Sequence, residues 1–271
     1  MESMKGLRVL ITGGSSGLGR EMAVQLCREG ARVAITGRRQ NKLDDAAAAA
    51  RAAGGECLTL LGDVTDLTQV KAHYAEIKAR WGGLDWAILN AGVGDSMNAR
   101  SFSAENYRWT FATNLGGVAN WMEVVLPDML AAGSGAIAGV GSLAGFRGLP
   151  ESGAYSASKA ALHSLLESTR VDLRGTGVDV VTVCPGFVVS EMTDRNEKSQ
   201  MPFLLETDDG ARRIIDGIKA RRRVVHFPWP LSMTMIYVVH NIPGWLYDWF
   251  AGNFIKRKKK PYIDESKQAK A

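Results

Sequence analysis

The sequence predicts an α/β fold built on a doubly wound parallel sheet, in a single domain with a helical extension at its C-terminus. Three observations lead to this prediction. Short apolar runs alternate with helix-like segments through six repeats, a glycine-rich turn follows the first run, and polar residues stand directly after the runs. Such alternation favours a parallel sheet that is covered by helices on both faces and joined by right-handed crossovers.

The first strand is expected at residues 7–12, because this run is short and mostly apolar, as a buried parallel strand requires. On the same ground, further strands are expected at residues 32–36, 56–61, 84–89, 134–140 and 178–183, with a seventh at 222–226. Apolar residues at helical spacing and capping residues predict helices at residues 41–53, 66–81, 103–130, 152–173 and 208–223, after a first helix that carries Met22 and Cys27.

The composition is that of an ordinary globular protein, with 46% hydrophobic and 23% charged residues. The three cysteines are scattered and lack CxxC spacing, so neither a metal site nor a disulfide framework is expected, and a reducing cytoplasm is the expected compartment. We see no signal peptide and no uninterrupted apolar run long enough to span a membrane. The stretch from residue 211 to the end contains 13 lysines and arginines but only four acidic residues. We therefore distinguish a C-terminal extension at 227–271, rich in aromatic and basic residues, from the main domain at 1–226.

The segment Thr12-Gly-Gly-Ser-Ser-Gly-Leu-Gly19 joins the first strand to the first helix. Glycines in such a turn let backbone N–H groups close around a phosphate, and the helix N-terminus adds a favourable dipole. Arg38 and Arg39 follow the second strand, at a place where a cofactor with a free ribose 2′-hydroxyl usually meets an acid. Because arginine binds phosphate through paired contacts, the sequence favours NADP(H) over NAD(H).

Tyr155 and Lys159 lie four residues apart in the predicted helix 152–173, so their side chains share one face. A phenol has a pKa near ~10, and an adjacent ammonium is expected to lower that pKa and make Tyr155 a usable general acid or base. Ser142 follows the fifth strand in a turn of small residues, where its hydroxyl can hold a carbonyl oxygen beside Tyr155. Asn114, a polar residue in an apolar predicted helix, is a further candidate.

Several of these residues follow ends of predicted strands and are expected at one edge of the sheet, where ligands of parallel sheets bind. They are Gly13, Arg38, Asp63, Asn90, Ser142 and Pro185. Together with the Tyr155-x-x-x-Lys159 pair, Asn90-Ala-Gly92 and Pro185-Gly186, these motifs resemble the classical short-chain dehydrogenase/reductase family over residues 7–193.

The resemblance implies a Rossmann-type dinucleotide-binding and catalytic domain at residues 1–226, which interconverts a carbonyl and an alcohol by hydride transfer. It implies that Tyr155 is the acid/base, that Lys159 also binds the nicotinamide ribose and that Asn114 holds a relay water. The catalytic residues that it implies are Asn114, Ser142, Tyr155 and Lys159. With Arg38 and Arg39 from the phosphate argument above, the expected cofactor-binding residues are Thr12, Gly13, Ser15, Ser16, Gly17, Leu18, Gly19, Arg38, Arg39, Asp63, Val64, Asn90, Ala91, Gly92, Tyr155, Lys159, Pro185, Gly186, Val188 and Ser190, with no metal.

Two alternative functions remain open from the sequence. Gly13-Gly-Ser15-Ser-Gly17 also fits the G-x-S-x-G turn of serine hydrolases, although only one predicted strand precedes Ser15 where that fold needs an earlier loop for its oxyanion hole. The second alternative is a catalytically inactive module that binds the cofactor. The intact set of Ser142, Tyr155 and Lys159 argues against it.

The C-terminal part is expected to determine the partners. Residues 187–205 contain apolar side chains that suit a lid over a hydrophobic substrate, or else a packed loop. Aromatic residues between Trp229 and Phe254, followed by a basic cluster at residues 256–260, suit peripheral contact with a membrane surface, or else packing on the body or on another subunit. The resemblance implies a homodimer or homotetramer through helices near residues 106–130 and 152–173, and no nucleic-acid motif is present.

Overall fold

A computed structural model describes residues 4–96, 99–193 and 201–256 of the chain, and it confirms the predicted fold class. A seven-stranded, all-parallel sheet has the strand order β3-β2-β1-β4-β5-β6-β7. The strands are β1 (Arg8–Ile11), β2 (Arg32–Gly37), β3 (Glu56–Leu61), β4 (Trp86–Leu89), β5 (Gly135–Val140), β6 (Val178–Pro185) and β7 (Val224–Phe227). Their central residues are buried on both faces, as their apolar sequences predict.

Helices cover both faces of this sheet. The helices are α1 (Gly17–Arg28), α2 (Gln40–Ala52), α3 (Leu67–Trp81), α4 (Ala104–Phe111), α5 (Gly117–Ala132), α6 (Gly153–Asp172), α7 (Thr207–Lys219), α8 (Trp229–Met233) and α9 (Gly244–Lys256). Buried side chains of α1, α2 and α7 form one core on one face of the sheet, and those of α3, α5 and α6 form a second core on the other. Asp66 begins α3 by accepting hydrogen bonds from the backbone N–H groups of Thr68 and Gln69, as its predicted capping role requires.

The strand order reverses beside β1, and this reversal positions the site. Strand β1 pairs with β2 on one side and with β4 on the other, although β4 comes much later in the chain. The loops after β1 and β4 therefore leave the sheet side by side and in opposite directions, which opens a crevice at the carboxyl ends of the strands.

The long helix expected at residues 103–130 is interrupted. Helix α4 passes at Ala112–Gly116 into a single π-type turn, and α5 continues to Ala132. The backbone N–H of Gly117 bonds back to the carbonyl of Ala112, five residues earlier. A π-type turn widens the helix and often occurs at functional sites, and this one contains Asn114.

The C-terminal extension begins directly after β7. Helix α8, a π-type turn at Thr234–Val239 and α9 follow one another along the chain. Among the residues that the structure describes, no helix is both long and apolar enough to cross a membrane. The predicted basic cluster at residues 256–260 lies outside the described residues except for Lys256.

Candidate active site

A network of hydrogen bonds holds the loop after β1 against the loop after β4. The hydroxyl of Thr12 accepts hydrogen bonds from the backbone N–H groups of Asn90 and Ala91, at 2.9 and 3.0 Å. The amide of Asn90 in turn donates to the carbonyl oxygens of Thr12 and Gly13, at 3.0 and 3.3 Å. These bonds fix the two sides of the crevice relative to each other.

Glycines allow this loop to close. Gly13 has φ of +66°, and a Cβ on it would lie 2.9 Å from Cα of Ala91. A Cβ on Gly19 would lie 2.3 Å from the carbonyl oxygen of Gly13, so only glycine lets α1 start this close to the turn. Ser16 precedes α1 without a side-chain capping bond, and no acid stands in the first helical turn. No carboxylate within the first turn of α1 competes for its first N–H groups, which suit an anion.

Hydroxyl and guanidinium groups gather where β2 ends at Gly37. A Cβ on Gly37 would lie 3.2 Å from Oγ of Ser15, and the guanidinium of Arg39 donates to Oγ of Ser16 at 3.3 Å. A guanidinium nitrogen of Arg38 lies 3.6 Å from a carboxylate oxygen of Asp63. Both side chains are more than one third exposed. The predicted cofactor residues of the first three strand ends are thus neighbours in space.

Glu191 is a site neighbour that sequence reasoning missed. Its carboxylate accepts a hydrogen bond from Arg39 at 2.7 Å, and this bond holds the pKa of Glu191 below its usual value. Glu191 lies more than 150 positions after Arg39 in the chain, so the spacing of the two residues does not indicate that they pair. The contact joins the segment after β6 to the loop after β2.

Asp63 and Val64 directly follow β3. Asp63 accepts hydrogen bonds from the N–H and hydroxyl of Thr65, both at 2.9 Å, which fix its carboxylate at the edge of the crevice. Val64 is buried, and its carbonyl accepts a hydrogen bond from Asn120 at 2.9 Å.

Ser142, Tyr155 and Lys159 meet at the other side of the crevice. The hydroxyl of Ser142 lies near the phenol of Tyr155 and favours its ionised form, and the Nζ of Lys159 lies 5.6 Å from the centre of the tyrosine ring. Gly94, in the loop after β4, leaves room for that ring, because a Cβ there would lie 2.6 Å from it. A phenol between a hydroxyl and an ammonium can pass a proton to or from an oxygen atom held beside it.

The electrostatics of this group differ from the sequence-based expectation. Burial raises the pKa of Tyr155 above its usual value, and the nearby hydroxyl of Ser142 only partly offsets that rise. The ammonium of Lys159 is buried on the inner face of α6 and donates to the carbonyl of Val140 at 2.7 Å rather than to the phenol. Burial also lowers the pKa of Lys159 to about 8. The expected lowering of the tyrosine pKa was wrong for this arrangement, because loss of hydration outweighs the attraction of an ammonium that is bonded elsewhere.

The side chain of Asn114 is fully buried and braces the loop after β4. Its Oδ1 accepts from the N–H of Val93 at 2.8 Å, and its Nδ2 donates to the carbonyl of Val93 and to Oγ of Ser158, both at 2.9 Å. Both amide hydrogens are thus occupied. A relay water, as the resemblance implies, has to use the remaining lone pair of Oδ1 or a backbone group of the π-type turn.

His163 is the second residue that sequence reasoning missed. Its ring packs against Phe146, and its Nε2 accepts from the N–H of Ser142 at 3.4 Å and lies 3.4 Å from Sγ of Cys184. Burial, with a contribution from Lys159, lowers the pKa of His163 to about 4, so the ring is neutral. Gly141 and Gly145, on either side of Ser142, make room for the ring. These two glycines are the feature of the sequence that could have indicated a large side chain packed against this loop.

The residues after β6 complete the site. Pro185 ends β6, Gly186 donates to the carbonyl of Phe227 at 2.7 Å, and buried Val188 forms a bridge with Leu205. Ser190 lies next to the glycine-rich loop, since a Cβ on Gly17 would lie 3.2 Å from it. The predicted lid thus starts and ends on the body of the protein, and its residues 194–200 lie outside the described part of the chain.

The arrangement does not favour a serine hydrolase. Each histidine side chain has a partner other than Ser15. These partners are the Leu61 carbonyl for His73, Ser142 and Cys184 for His163, Ser232 for His226 and the Phe146 carbonyl for His240.

Comparisons with known proteins agree with this geometry. The profile of a family described as short chain dehydrogenase matches residues 8–201. An uncharacterized oxidoreductase of Myxococcus xanthus is 44% identical over 233 residues, which are 86% of this chain and 92% of that protein. The 3-oxoacyl-acyl-carrier-protein reductase FabG of Staphylococcus aureus is 34% identical over 68% of this chain and 76% of its own length.

Two solved structures are similar over most of the chain. A short chain dehydrogenase/reductase from Burkholderia phymatum in complex with NAD has a TM-score of 0.81 at 26% identity and covers 97% of this chain and 99% of its own. A levodione reductase has a TM-score of 0.78 at 28% identity and covers 86% of this chain and 99% of its own. The chain therefore belongs to the short chain dehydrogenase family of oxidoreductases.

Proposed function

We propose that this oxidoreductase interconverts a hydrophobic carbonyl compound and its alcohol, with NADP(H) as cofactor and Tyr155 as the acid/base. The observation that carries the proposal is that Ser142 and the buried Lys159 both lie beside Tyr155, with Nζ of Lys159 5.6 Å from the centre of its ring. This group stands across one crevice from a glycine-rich turn with an uncapped helix N-terminus.

The residues present fit a dinucleotide. Gly13 and Gly19 let the backbone of the turn close, and the first N–H groups of α1 suit a pyrophosphate. Asp63 and Val64 suit the adenine, and the Asn90-Ala-Gly92 loop supports the cofactor between them and Lys159. A Cβ on Gly92 would lie 3.3 Å from Nζ of Lys159 and 3.4 Å from Oδ1 of Asn114, so this glycine leaves room beside both groups.

When bound, the nicotinamide supplies or accepts the hydride. The protein supplies the proton and the geometry. Oη of Tyr155 gives its proton to the carbonyl oxygen in reduction and takes it back in oxidation. Oγ of Ser142 holds that oxygen next to the phenol, and Lys159 binds the nicotinamide ribose. Asn114 holds the water through which the phenol recovers its proton.

The preference for NADP(H) rests on the groups around Gly37. Two hydroxyls and two guanidiniums lie there, and they suit the three oxygens of a 2′-phosphate. Among the described residues, Glu191 is the acid paired with Arg39, and a phosphate has to displace it. The Burkholderia phymatum structure contains NAD, so family membership alone does not decide between the two cofactors.

The hydrophobic character of the substrate is supported by the surroundings of α6. A cavity of about 400 Å³ lies beside the first turn of this helix and has a mostly apolar lining. It is lined by Ala99, Phe102, Tyr107, Leu149, Glu151, Gly153, Ala154 and Ala157. Buried Met201 and Val188 add apolar surface at the two ends of the lid. We further infer a cytoplasmic location, since Cys27, Cys57 and Cys184 are all free thiols, and a homo-oligomer, since α4, α5 and α6 carry exposed apolar side chains.

The test is the variant Tyr155→Phe, assayed with NADPH and a panel of carbonyl compounds from small polar to long-chain or polycyclic ones. Loss of the proton donor should lower turnover by about 10²–10⁴-fold, while NADPH still binds. The matched control is Tyr237→Phe, which removes an exposed hydroxyl from the C-terminal extension and should leave turnover unchanged. Turnover of Tyr155→Phe close to that of the unaltered protein would reject the assignment.

A further inference from the structure

The C-terminal extension exposes an unusual amount of aromatic surface. Large apolar side chains on α8, on the π-type turn and on α9 are between 55% and 73% exposed. They are Trp229, Tyr237, Val238, Trp245, Trp249 and Phe250. Trp245 and Trp249 are four residues apart on α9 and therefore lie on one face of this helix. Apolar side chains of this size seldom stay in water without a partner.

The charge pattern of this segment points to the kind of partner. Between residues 228 and 255, Asp248 is the one residue among aspartate, glutamate, lysine and arginine, and the sequence that starts at the last residue of α9 is Lys256-Arg-Lys-Lys-Lys260. Tryptophan and tyrosine favour the boundary between water and lipid, and a basic run beside them favours anionic head groups.

Specific bonds attach the same segment to the loop after Ser142. The hydroxyl of Tyr247 donates to the carbonyl of Gly148 at 2.6 Å, and the guanidinium of Arg147 lies 4.5 Å from the centre of the Tyr247 ring. Arg147 also donates to the carbonyl of His240 at 3.0 Å, and Nδ1 of His240 bonds to the carbonyl of Phe146 at 2.6 Å. The exposed aromatic residues are therefore held in place beside the candidate active site.

We propose that residues 229–256 form a docking face for the anionic surface of a lipid bilayer, fixed to the loop that carries Ser142. The face lies on the membrane and does not cross it, because no described helix is suited to span one. The proposal concerns binding alone, so it stands or falls independently of the reaction proposed above.

The full-length protein is sedimented with vesicles of phosphatidylcholine containing phosphatidylglycerol, and with vesicles of phosphatidylcholine alone. We expect binding to the first kind, and about tenfold or greater weakening in the double variant Trp245→Ser/Trp249→Ser, because buried apolar area sets the strength of such binding. Raising the salt to about 0.5 M should weaken it through screening. The control Leu61→Ser removes a half-exposed aliphatic side chain at the opposite edge of the sheet and should bind as the unaltered protein does.

A second variant, Lys258→Gln/Lys259→Gln/Lys260→Gln, tests the electrostatic part without altering the aromatic face. It should bind phosphatidylglycerol vesicles more weakly than the unaltered protein. The proposal is overturned if the unaltered protein does not sediment with these vesicles, or if the double tryptophan variant binds them equally well. In that case light scattering of the tryptophan variant shows what covers the face instead. A loss of subunits would mean that the face is a subunit contact.

Discussion

At the scale of single residues, His163 shows how the loop of Ser142 is held. The imidazole lies between two glycines, accepts the backbone N–H of Ser142 and contacts Cys184. Lys159, one helical turn away, is a cation near the same ring and opposes its protonation. A neutral imidazole is therefore part of the folded arrangement.

This arrangement predicts a loss of stability in acid. The pKa of His163 is about 4 in the folded protein, whereas an unfolded histidine titrates near ~6.5, so between these values the unfolded chain binds one more proton. Stability therefore falls as the pH drops through this window, by about 2 kcal/mol between pH 7 and pH 5 from this group. Urea unfolding of His163→Gln should show a shallower decline than that of the unaltered protein. Parallel curves would contradict the assignment.

The arginines after β2 give a second prediction at this scale. If Arg38 binds the 2′-phosphate, Arg38→Ala should weaken NADPH binding about tenfold, because a charge-assisted hydrogen bond to that phosphate is lost. NADH binding should be nearly unchanged, because NADH has no 2′-phosphate. Fluorescence titration with both cofactors measures this. Arg222→Ala, an exposed arginine near the start of β7 at the other edge of the sheet, is the control. An equal effect on the two cofactors would mean that Arg38 does not contact the phosphate.

At the scale of elements, the sequence predicts local features well and distant contacts poorly. The spacing of Tyr155 and Lys159 correctly predicts a shared face of α6, and the glycines after β1 correctly predict a tight turn. The bond from Lys159 to the Val140 carbonyl could not be predicted, because it depends on how α6 packs on β5. The π-type turn was also missed, since an apolar periodic pattern does not distinguish it from an ordinary helical turn.

The attachment of α9 can be tested by removing one hydroxyl. Tyr247→Phe loses the hydrogen bond to the Gly148 carbonyl, which should cost about 1 kcal/mol and speed hydrogen exchange of the α9 amides about fivefold. Arg147→Ala should act in the same direction, because it removes the contact with the Tyr247 ring and the hydrogen bond to the His240 carbonyl. Tyr237→Phe is the control within the same extension. Unchanged exchange in Tyr247→Phe would show that this bond does not hold the helix.

At the scale of the whole molecule, exposed apolar side chains on the helices of one face favour self-association. Trp109 on α4, Leu130 on α5 and Val171 on α6 are all exposed. We predict a particle of two or four chains of 29.3 kDa each in light scattering. Val171→Asp should shift it toward the single chain, and Leu61→Asp, at the far edge of the sheet, should not. A single chain at all working concentrations would refute the prediction.

The bonds between Thr12 and Asn90 also bear on how the protein is made. The two residues stand 78 positions apart, so the glycine-rich turn leaves the ribosome long before the strand that braces it. A nascent chain that ends before β4 carries the turn without Asn90, and one that ends before α6 lacks Tyr155 and Lys159. The nucleotide-binding loop is therefore complete only after β4 has paired with β1. Binding of the cofactor to a nascent chain would report that this pairing has formed.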